Sequence, residues 1–578
     1  MSDWEKVYQK WRTFQNLDPS LKQHLTEIEN DREALEDAFY KELAFGTGGM
    51  RGILGPGINR MNVYTVRKAV HGLAKYLLNE KIDAKARGVV IAYDSRHMSK
   101  EFAEESAKVL GSSGIRTFVF DTLRPTPLLS YAVRYLGTSA GIMITASHNP
   151  PEYNGFKVYN EAGGQITPDE AGDIIAAIQE IENELTIPFK DAGELEEEKQ
   201  LIWLGKEVDQ AYLEQLKNIS KMSAQEQSKD KNINIIFTPL HGTALYLVTQ
   251  GLQQLGFSRV EVVEQQARPD PEFSTVSSPN PEEHQAFTLA IEQGKQMYAD
   301  ILLGTDPDAD RLGVAVKDAD GEYRVLTGNQ LGALMLDYIL SHSEEQSLKN
   351  GRMLKTVVTS ELGCAVADEY NVKTINTLTG FKYIAENIRH FETTGENFLF
   401  GYEESYGYLI DAFTRDKDAV QAAAMAAEMA YFWKKRGKTL LDALNILYKK
   451  HGYYLEGLSS LKMEGKAGTE QINQIMSEIR KTPRVEIAGM TVEIMEDYAA
   501  GERIFLRGQQ TKEMIDLPKE NMMKFLLEDN CWVCLRPSGT EPKIKYYYGV
   551  RGKTAKESEE KLALLKKAMD EIIQQIIS

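Results

Sequence analysis

The sequence predicts an α/β protein of several domains, from its length, its alternating strands and helices, and four polar loops that follow apolar strands. Its 578 residues are too many for one hydrophobic core and indicate three to five domains. Short apolar runs alternate with amphipathic helices, which is typical of α/β layers. The four polar loops read TASHNP, GTDPDADR, GYEESYG and RPSGTEPK. Because each loop follows a strand, we expect the four to converge on one cleft.

The first predicted domain, residues 1–205, has helical segments over 3–44 and then a glycine-rich loop over 45–57. Valines and leucines recur at helical spacing over 62–79, which predicts an amphipathic helix. The remaining predicted elements are strands at 89–93, 115–120 and 140–144, helices at 100–111, 127–136 and 169–184, and an acidic linker over 191–200.

Two further α/β domains are predicted over residues 206–318 and 319–450, followed by a smaller α+β domain over 451–578. The turn signal Asp318-Ala-Asp-Gly321 predicts a hairpin where the third domain begins. The predicted helices are 207–219, 244–255, 328–342, 380–389, 416–435 and 554–577, and a loose stretch covers 222–232. The predicted strands are 233–237, 260–263, 300–303, 356–358, 397–400 and 531–535.

The composition excludes some classes of partner. The 67 basic and 85 acidic residues give a net charge of −18, which argues against a nucleic-acid or acidic-membrane partner. A phosphorylated small substrate, which needs only a few local cations, remains compatible with that charge. The N-terminus has no apolar signal core, and no run is long enough to span a bilayer.

Three cysteines in so long a chain predict a reducing compartment, the cytoplasm. Cys531 and Cys534 have CxxC spacing, but they lie in a predicted strand, and the sequence has no second pair to complete a zinc site. We therefore expect buried structural thiols.

The loop TASHNP, residues 145–150, follows the apolar run 140–144 and is stopped by the two prolines after Asn149. Prolines fix φ and remove backbone donors, so regular structure ends there. Ser147 therefore lies at the carboxyl end of a strand, where open α/β sheets hold ligands. Serine also stabilises turns, so this loop alone leaves both interpretations open.

The loop GTDPDADR carries carboxylates at Asp306, Asp308 and Asp310. A spacing of two residues in a curling loop can direct all three at one point, and hard oxygen ligands suit Mg²⁺. An EF-hand does not fit, because its sixth position is Arg311 and its twelfth is Lys317. A solvated acidic turn is the other interpretation, but the preceding apolar strand favours metal binding.

The loop RPSGTEPK, residues 536–543, offers a guanidinium, two hydroxyls and the backbone N–H groups around Gly539. Such a set can cradle a phosphate, and Lys543, Lys545 and Arg551 add local positive charge. It lacks the GxxxxGK[ST] pattern of a P-loop, and a plain turn is the alternative.

The loop GYEESYG carries Glu403, Glu404 and Ser405, whose oxygens can bind vicinal sugar hydroxyls. Together the four loops supply a serine, a metal site, a polyol-binding loop and a phosphate clamp. That combination suits phosphoryl transfer to and from a sugar phosphate, which depends mainly on positioning and charge neutralisation.

The four motifs, in this order and spacing, resemble the α-D-phosphohexomutase superfamily over residues 45 to 551. Within it, the chain is most similar to bacterial phosphoglucomutases of the longer phosphopentomutase-type branch. The resemblance implies four domains around a central cleft, three with similar α/β cores and mixed sheets and a fourth, smaller α+β domain.

The resemblance also implies roles for single residues. Ser147 would rest as phosphoserine, and Mg²⁺ would be held by that phosphate with Asp306, Asp308 and Asp310, Arg311 lying alongside. Sugar hydroxyls would be bound by Glu403 and Ser405, and the non-reacting phosphate by Arg536, Ser538, Gly539 and Thr540. Other matches to active-site positions are Arg51, His148 and Lys157, together with Lys382 in a less uniform motif. Which of Lys157, His148 and Lys382 is the general acid or base stays open.

The implied activity is interconversion of α-D-glucose 1-phosphate and glucose 6-phosphate through glucose 1,6-bisphosphate. Glu404 favours glucose, because the mannose-using branch has methionine there, whereas Tyr402 and Tyr406 leave pentose phosphates open. The alternatives are therefore a phosphopentomutase or a glucose 1,6-bisphosphate synthase of the same fold. A non-catalytic sugar-phosphate sensor is disfavoured because Ser147 and the three aspartates are intact. The sequence leaves monomer and dimer open.

Overall fold

The structure, a computed structural model, describes residues 2–46, 48–227, 229–463, 465–482, 484–507, 511–538 and 543–577. The chain divides into two compact units. The first comprises residues 1–328, 381–401 and 405–437, and the second comprises residues 329–380, 402–404 and 438–578. The described residues form four sheets, and none of their helices is both long and apolar enough to cross a membrane.

Three amphipathic helices open the first unit and enclose a small aromatic core. The carboxylates of Asp18 and Asp31 cap two of them by accepting backbone N–H groups, as N-cap residues do. The indole of Trp11 packs edge to face on the rings of Phe39 and Tyr64, an arrangement that aromatic pairs prefer. The helices are α1 (Asp3–Thr13), α2 (Pro19–Glu27) and α3 (Arg32–Phe39).

A mixed seven-stranded sheet follows, with helices between its parallel strands. Its strands are β1 (Phe45–Gly46), β2 (Gly49–Ile53), β3 (Val89–Tyr93), β4 (Thr117–Phe120), β5 (Ala140–Ile144), β6 (Tyr153–Asn160) and β7 (Leu201–Leu204). Its helices are α4 (Val63–Glu80), α5 (Ala84–Arg87), α6 (Ser99–Ser112), α7 (Thr126–Leu136), α8 (Pro168–Gln179) and α9 (Ala192–Glu197). The strand order is β1-β2-β6-β5-β3-β4-β7, and β6 runs antiparallel to β5. Every residue of β3 and β5 is buried, because helices cover parallel strands on both faces.

The second sheet belongs to the same unit and has the order β12-β11-β10-β8-β9. Its strands are β8 (Ile235–Thr238), β9 (Val260–Val262), β10 (Ile301–Thr305), β11 (Leu312–Lys317) and β12 (Tyr323–Val325). Its helices are α10 (Glu207–Leu216), α11 (Ala224–Gln227), α12 (Leu245–Gln254), α13 (Glu264–Ala267) and α14 (Thr288–Met297). β10 is parallel to β8 and antiparallel to β11. The polar loop after β10 is therefore the turn of a hairpin at the sheet's carboxyl edge.

Residues 328–437 contribute to both units. Their elements are α15 (Gly328–Ser341), α16 (Glu345–Lys349), β13 (Gly351–Thr356), α17 (Leu362–Glu369), β14 (Lys373–Thr377), α18 (Phe381–Thr394), β15 (Asn397–Glu403), β16 (Gly407–Leu409) and α19 (Ala419–Lys434). In the second unit, β13 pairs in parallel with β14. In the first, α19 is buried along most of its length and packs against α12, as its alanine-rich, apolar sequence predicts.

The C-terminal part of the second unit is an antiparallel sheet with two long helices. Its elements are α20 (Leu440–His451), β17 (Tyr453–Lys462), α21 (Gly465–Lys481), β18 (Glu486–Ile487), β19 (Met490–Asp497), β20 (Glu502–Phe505), β21 (Thr511–Met514), β22 (Met523–Leu527), β23 (Trp532–Pro537), β24 (Lys543–Gly552) and α22 (Ala555–Ile577). The order is β17-β24-β23-β22-β19-β20-β21, with β18 beside β19. Cys531 and Cys534 are buried free thiols, as expected from the sequence.

Two loops expected from the sequence contain regular structure instead. The acidic stretch 191–200 contains α9, because Leu195 is fully buried and packs on Gly111 of α6. The glycine-rich stretch 45–57 contains the edge strand β1 and its neighbour β2. Gly49 permits this pairing, since its φ of 135° and the 1.8 Å between an added Cβ and the Phe156 carbonyl oxygen exclude other residues.

A third difference concerns the stretch 222–232, expected to be loose, which contains the short helix α11 (Ala224–Gln227). The Lys231 ammonium donates to the last two carbonyls of that helix.

A fourth difference concerns the strand expected at 356–358. The structure places β13 earlier, at Gly351–Thr356. The β-branched run Thr356-Val357-Val358 has strand propensity, but only its first residue lies in the strand, and the rest forms the turn that leads into α17.

Candidate active site

The loop between β5 and β6 holds Ser147 in a buried and unusual backbone conformation. Ser147 has a φ of 52°, a value that non-glycine residues rarely adopt. The backbone N–H of Ser147 donates a hydrogen bond of 2.8 Å to the hydroxyl of Thr145, which stabilises this conformation. Ser147 is only 3% exposed. Such local strain is typical of functional turns.

The buried guanidinium of Arg96 holds the loop that carries Ser147. It donates hydrogen bonds to four backbone carbonyls, those of Ser147, Asn149, Pro150 and Tyr153. Asp94 lies 3.4 Å from the Arg96 Nε and accepts the backbone N–H of Arg96. The carbonyl groups of a loop are not paired with a neighbouring strand, so here the Arg96 side chain supplies the hydrogen-bond donors that they need.

The loop between β10 and β11 gathers its three aspartates into one buried cluster. One carboxylate oxygen from each of Asp306, Asp308 and Asp310 lies within 4.8 Å of the others. Ala309 adopts a φ of 54°, which curls the loop. The Oδ1 of Asp306 accepts the backbone N–H groups of Asp310 and Arg311, at 3.1 and 2.9 Å. Alternate residues therefore face one point, as the sequence spacing predicts.

These two loops meet, although 159 residues separate them along the chain. The Ser147 hydroxyl donates to Asp306 Oδ2 at 2.7 Å and lies 3.1 Å from His148 Nδ1. A hydroxyl between a carboxylate and an imidazole nitrogen is suited to accept and return a transferred group.

Two ammonium groups lie against the aspartate cluster. Lys157, on β6, is 2.9 Å from Asp308 Oδ2 and 3.7 Å from Asp310 Oδ2. Lys417 is 3.1 Å from Asp310 Oδ2. Burial by itself would raise the pKa of Asp308, but the Lys157 ammonium holds it well below its usual range.

The surroundings also shift the pKa values of Asp306 and of His148. Burial, then Asp310 and Asp308, raise the pKa of Asp306 well above its usual value. Burial, reinforced by Arg311 and Arg51, lowers the pKa of His148 to about 3. The imidazole is therefore neutral at pH 7 and has one ring nitrogen available as an acceptor.

The cluster fits a divalent cation. The Oδ1 atoms of Asp308 and Asp310 are buried, and within the described part of the chain neither has a hydrogen-bond partner. A buried carboxylate oxygen without a partner is costly unless a cation or donor meets it. Hard oxygen ligands around one point match the preference of Mg²⁺.

Two arginines predicted from the sequence also belong to this site, and Lys382 lies elsewhere in the same unit. Arg51, on β2, donates to the side chain of Asn149 at 2.7 Å. The Arg311 guanidinium is paired with Glu282. Lys382, on α18, lines a different cleft of about 350 Å³.

The sugar-binding loop predicted from GYEESYG is anchored by its acidic residues. In the second unit, Glu403 accepts the backbone N–H of Gly380 at 2.8 Å, and Glu404 Oε2 accepts the hydroxyls of Thr356 and Thr359. Ser405 follows in the first unit and is partly buried.

The predicted phosphate clamp lies between β23 and β24 in the second unit. Arg536 donates to Glu520 at 2.6 Å. Burial would lower the pKa of Arg536, but the Glu520 carboxylate raises it above its usual value. The N–H of Ser538 donates to the Lys543 carbonyl at 2.7 Å. The predicted residues Gly539 and Thr540 lie outside the described residues.

Comparison with known proteins decides the family. Models of α/β/α domains I, II and III of phosphoglucomutase/phosphomannomutase match residues 42–185, 210–321 and 327–451. The chain belongs to the phosphoglucomutase/phosphomannomutase family. This confirms the resemblance to the α-D-phosphohexomutases and the four-domain fold it implies.

Curated members of the phosphoglucomutase/phosphomannomutase family match nearly the whole chain. A phosphoglucomutase of Staphylococcus aureus (strain USA300) is 41% identical over 532 residues, covering 92% of this chain and 94% of that protein. A phosphoglucomutase of Staphylococcus haemolyticus is 40% identical over 512 residues, covering 89% and 91%.

Solved structures of the phosphoglucomutase/phosphomannomutase family share the fold at low identity. A putative phosphomannomutase from Thermus thermophilus has a TM-score of 0.68 at 21% identity, covering 92% of this chain and 99% of that chain. The Paramecium phosphoglucomutase pp63/parafusin, in an open form, has a TM-score of 0.68 at 17% identity, covering 93% and 96%.

Four residues that form contacts at these predicted sites are not indicated by the sequence of this phosphoglucomutase/phosphomannomutase family member: Arg96, Thr126, Lys417 and Tyr547. The first three hold the serine loop or the aspartates. The hydroxyl of Tyr547 hydrogen-bonds Arg536 of the predicted clamp, and burial, then Glu404, raise the pKa of Tyr547. Lys417 lies at the start of the helix predicted over 416–435, where the sequence indicates only a helix.

Proposed function

We propose that the protein is a phosphoglucomutase that interconverts α-D-glucose 1-phosphate and glucose 6-phosphate through a phosphorylated Ser147 and glucose 1,6-bisphosphate. The observation that carries this proposal is the 2.7 Å contact between the Ser147 hydroxyl and Asp306 in a buried aspartate cluster. It occurs in a chain 41% identical to a curated phosphoglucomutase over 92% of its length.

Ser147 carries the phosphoryl group between the two ends of the sugar. In the first half-reaction, a sugar hydroxyl bonds to phosphorus while the bond from phosphorus to Ser147 Oγ breaks, and the hydroxyl proton passes to a base. In the second, Ser147 Oγ bonds to the phosphorus at the other end, the bond to the sugar oxygen breaks, and that oxygen takes a proton. The enzyme ends as it began.

Asp306, Asp308 and Asp310 would hold Mg²⁺ together with the phosphate on Ser147. When bound, Mg²⁺ supplies positive charge that offsets the negative charge of the phosphoryl group. The fit rests on the Oδ1 atoms of Asp308 and Asp310, which are buried and accept no hydrogen bond from the described residues. Lys157 and Lys417 meanwhile hold the opposite oxygens of these carboxylates.

Protons are moved by groups near Ser147. His148 Nδ1 lies within reach of the Ser147 hydroxyl, and Lys157 is protonated because Asp308 and Asp310 outweigh its burial and raise its pKa. We assign these two as candidates for general acid and base. Lys382, which lines a different cleft, is a third candidate on the family resemblance alone.

Binding of the substrate falls to the remaining predicted residues. Glu403 and Ser405 bind sugar hydroxyls, and Arg51 and Arg311 supply positive charge beside Ser147. The non-reacting phosphate is gripped by Arg536, Ser538, Gly539 and Thr540, which combine a forked cation with hydroxyls and backbone donors. We divide the chain into domains 1–205, 206–318, 319–450 and 451–578, and the free thiols suit the cytoplasm.

The structure weakens one argument for pentose substrates. Tyr402 is fully buried and packs on Gly332 and Gly363, so its difference from the common glucose motif reflects core packing. A phosphopentomutase remains an outcome of the test below.

The test is a coupled assay with glucose, mannose, glucosamine and ribose 1-phosphates, each with Mg²⁺ and after chelation. We expect glucose 1-phosphate to have the highest kcat/KM and chelation to abolish turnover. A higher kcat/KM for ribose 1-phosphate would reassign the enzyme as a phosphopentomutase. No turnover of any of the four would overturn the proposal.

A further inference from the structure

Thr126 lies at the aspartate cluster but belongs to none of the predicted motifs. It is the first residue of α7 and is fully buried. Prolines precede and follow it, so its backbone is rigid. The first N–H groups of a helix have no partner within the helix, and that of Thr126 is therefore free to bind another segment.

Thr126 binds Asp308 through both its backbone and its side chain. Its N–H donates to the Asp308 carbonyl at 2.9 Å, and its hydroxyl donates to Asp308 Oδ2 at 2.9 Å. These residues are 182 positions apart in sequence. Two bonds to one residue fix the place of its backbone and the rotation of its carboxylate.

The two oxygens of Asp308 consequently differ. Oδ2 accepts both the Thr126 hydroxyl and the Lys157 ammonium, whereas Oδ1 is buried and has no hydrogen-bond partner among the described residues. A carboxylate whose one oxygen is saturated by donors presents the other to a cation.

We infer that Thr126 is a positioning residue that orients Asp308 so that Oδ1 faces a divalent cation. This inference rests on the metal site of the proposed function. Lys157 alone cannot do this, because its ammonium is a point charge on a flexible stem and lies 3.7 Å from Asp310 Oδ2 as well. Without the hydroxyl, the Asp308 carboxylate can rotate to share both oxygens with Lys157, which then competes with the cation.

The experiment compares the full-length wild type with Thr126→Val and Thr126→Ala, which lack the hydroxyl, and Thr126→Ser, which keeps it. Isothermal titration of the chelator-treated proteins with MgCl₂ measures the Kd for Mg²⁺. The hydroxyl-free variants should bind Mg²⁺ about tenfold to hundredfold more weakly, as is typical when a partner of a metal ligand is lost. Thr126→Ser should bind as the wild type does.

Thr117→Val is the matched control. Thr117 is also fully buried, and its N–H and its hydroxyl both donate to the carbonyl of Gln200. Because Gln200 is not a predicted metal ligand, loss of the Thr117 hydroxyl should leave the Kd for Mg²⁺ unchanged. Activity against Mg²⁺ concentration gives a second measurement, in which Thr126→Val should need more Mg²⁺ yet approach the wild-type kcat at saturation.

Circular dichroism establishes that each variant is folded, and Thr126→Ala replaces Thr126→Val if the larger side chain prevents folding. Wild-type affinity in the folded hydroxyl-free variant would overturn the role of Thr126, as would equal weakening in Thr126→Ser. If the wild type itself binds no Mg²⁺, the metal site of the proposed function fails and the inference fails with it.

Discussion

The serine and aspartate cluster of the first unit and the predicted phosphate clamp of the second are built in opposite ways. Ser147 and the three aspartates are each at most 3% exposed, and backbone donors and lysines hold them. The Arg536 side chain is 31% exposed and is paired with Glu520. Bond-making groups need fixed positions away from water, whereas a group that captures a charged substrate has to meet it in solvent.

This contrast predicts large effects on chemistry in the first unit and moderate effects on affinity in the second. Replacing Ser147 with alanine should have the largest effect. Because the proposed acceptor of the phosphoryl group is then missing, kcat should fall by at least about a thousandfold while the melting temperature stays near that of the wild type.

Steady-state kinetics and intact-mass measurements check this prediction, since freshly purified wild type should include a fraction heavier by one phosphate and Ser147→Ala should not. Ser112→Ala, whose hydroxyl donates to the carbonyls of Val109 and Pro188, is the control. Near-normal turnover in Ser147→Ala would remove Ser147 from the chemistry.

Asp308→Asn should have the next largest effect. The change removes a proposed anionic ligand from a cluster in which the Oδ1 atoms of Asp308 and Asp310 accept no hydrogen bond from the described residues. We expect turnover at fixed Mg²⁺ to fall by more than the roughly tenfold to hundredfold typical of residues outside the ligand set, with partial recovery at high Mg²⁺.

Activity measured over a Mg²⁺ series, with Asp320→Asn in an exposed turn as the control, tests this second prediction. Wild-type activity that survives exhaustive chelation would show that the three carboxylates have only a structural role.

Arg536→Ala should have a moderate effect and sharpen the contrast between the units. Loss of charged hydrogen bonds costs on the order of 1.5–3 kcal/mol, or roughly tenfold to hundredfold in kcat/KM. In the proposed cycle the bisphosphate presents each phosphate to the predicted clamp in turn, so the loss should appear with both glucose 1-phosphate and glucose 6-phosphate.

Kinetics in both directions, compared with Arg507→Ala on the same unit, measure this effect. Ser147 phosphorylation and Mg²⁺ affinity should be unchanged. A loss confined to one direction would mean that the clamp serves one binding pose.

Glu456→Gln should have the smallest effect, on stability alone. Burial raises the pKa of Glu456 to about 7, although hydrogen bonds from Ser360 and Asn329 oppose the shift. Because the folded-state pKa is above the unfolded one, the stabilisation is present below about pH 4.3 and is lost as pH rises through 7. Glutamine keeps the acceptor for Ser360 and removes the titration.

Melting temperatures from pH 5 to pH 8 test this prediction. The wild type should lose a few degrees more than Glu456→Gln as pH rises, on the order of the shift that 1 kcal/mol produces, and exposed Glu513→Gln should follow the wild type. Parallel curves for wild type and Glu456→Gln would show that Glu456 is charged in the folded protein.

The sequence predicts well what is encoded locally. Ser147 and the three aspartates were predicted because each follows an apolar strand, and a strand's end fixes where its loop emerges. The spacing of two between the aspartates places them on one side of a curled loop. These signals lie within about ten residues of each side chain.

The sequence does not predict what is decided by distant contacts. Thr126 lies in a segment that reads only as a helix start, and its partner is 182 residues away. Arg96 and Tyr547 are likewise ordinary residues in their own elements. Leu195 shows the same limit for the fold, since its burial against Gly111 of α6, a distant contact, stabilises a short helix in a stretch that reads as an acidic linker.

The hydrogen bonds from Arg96 to the loop that carries Ser147 affect when the conformational entropy of that loop is lost. A loop of several residues loses roughly 1–2 kcal/mol per residue when its backbone is ordered. Because one guanidinium already binds the carbonyls of Ser147, Asn149, Pro150 and Tyr153, that loss occurs when the chain folds and not in each catalytic cycle. Binding of a sugar phosphate then leaves little of this loop to order, and the binding free energy remains for holding the sugar.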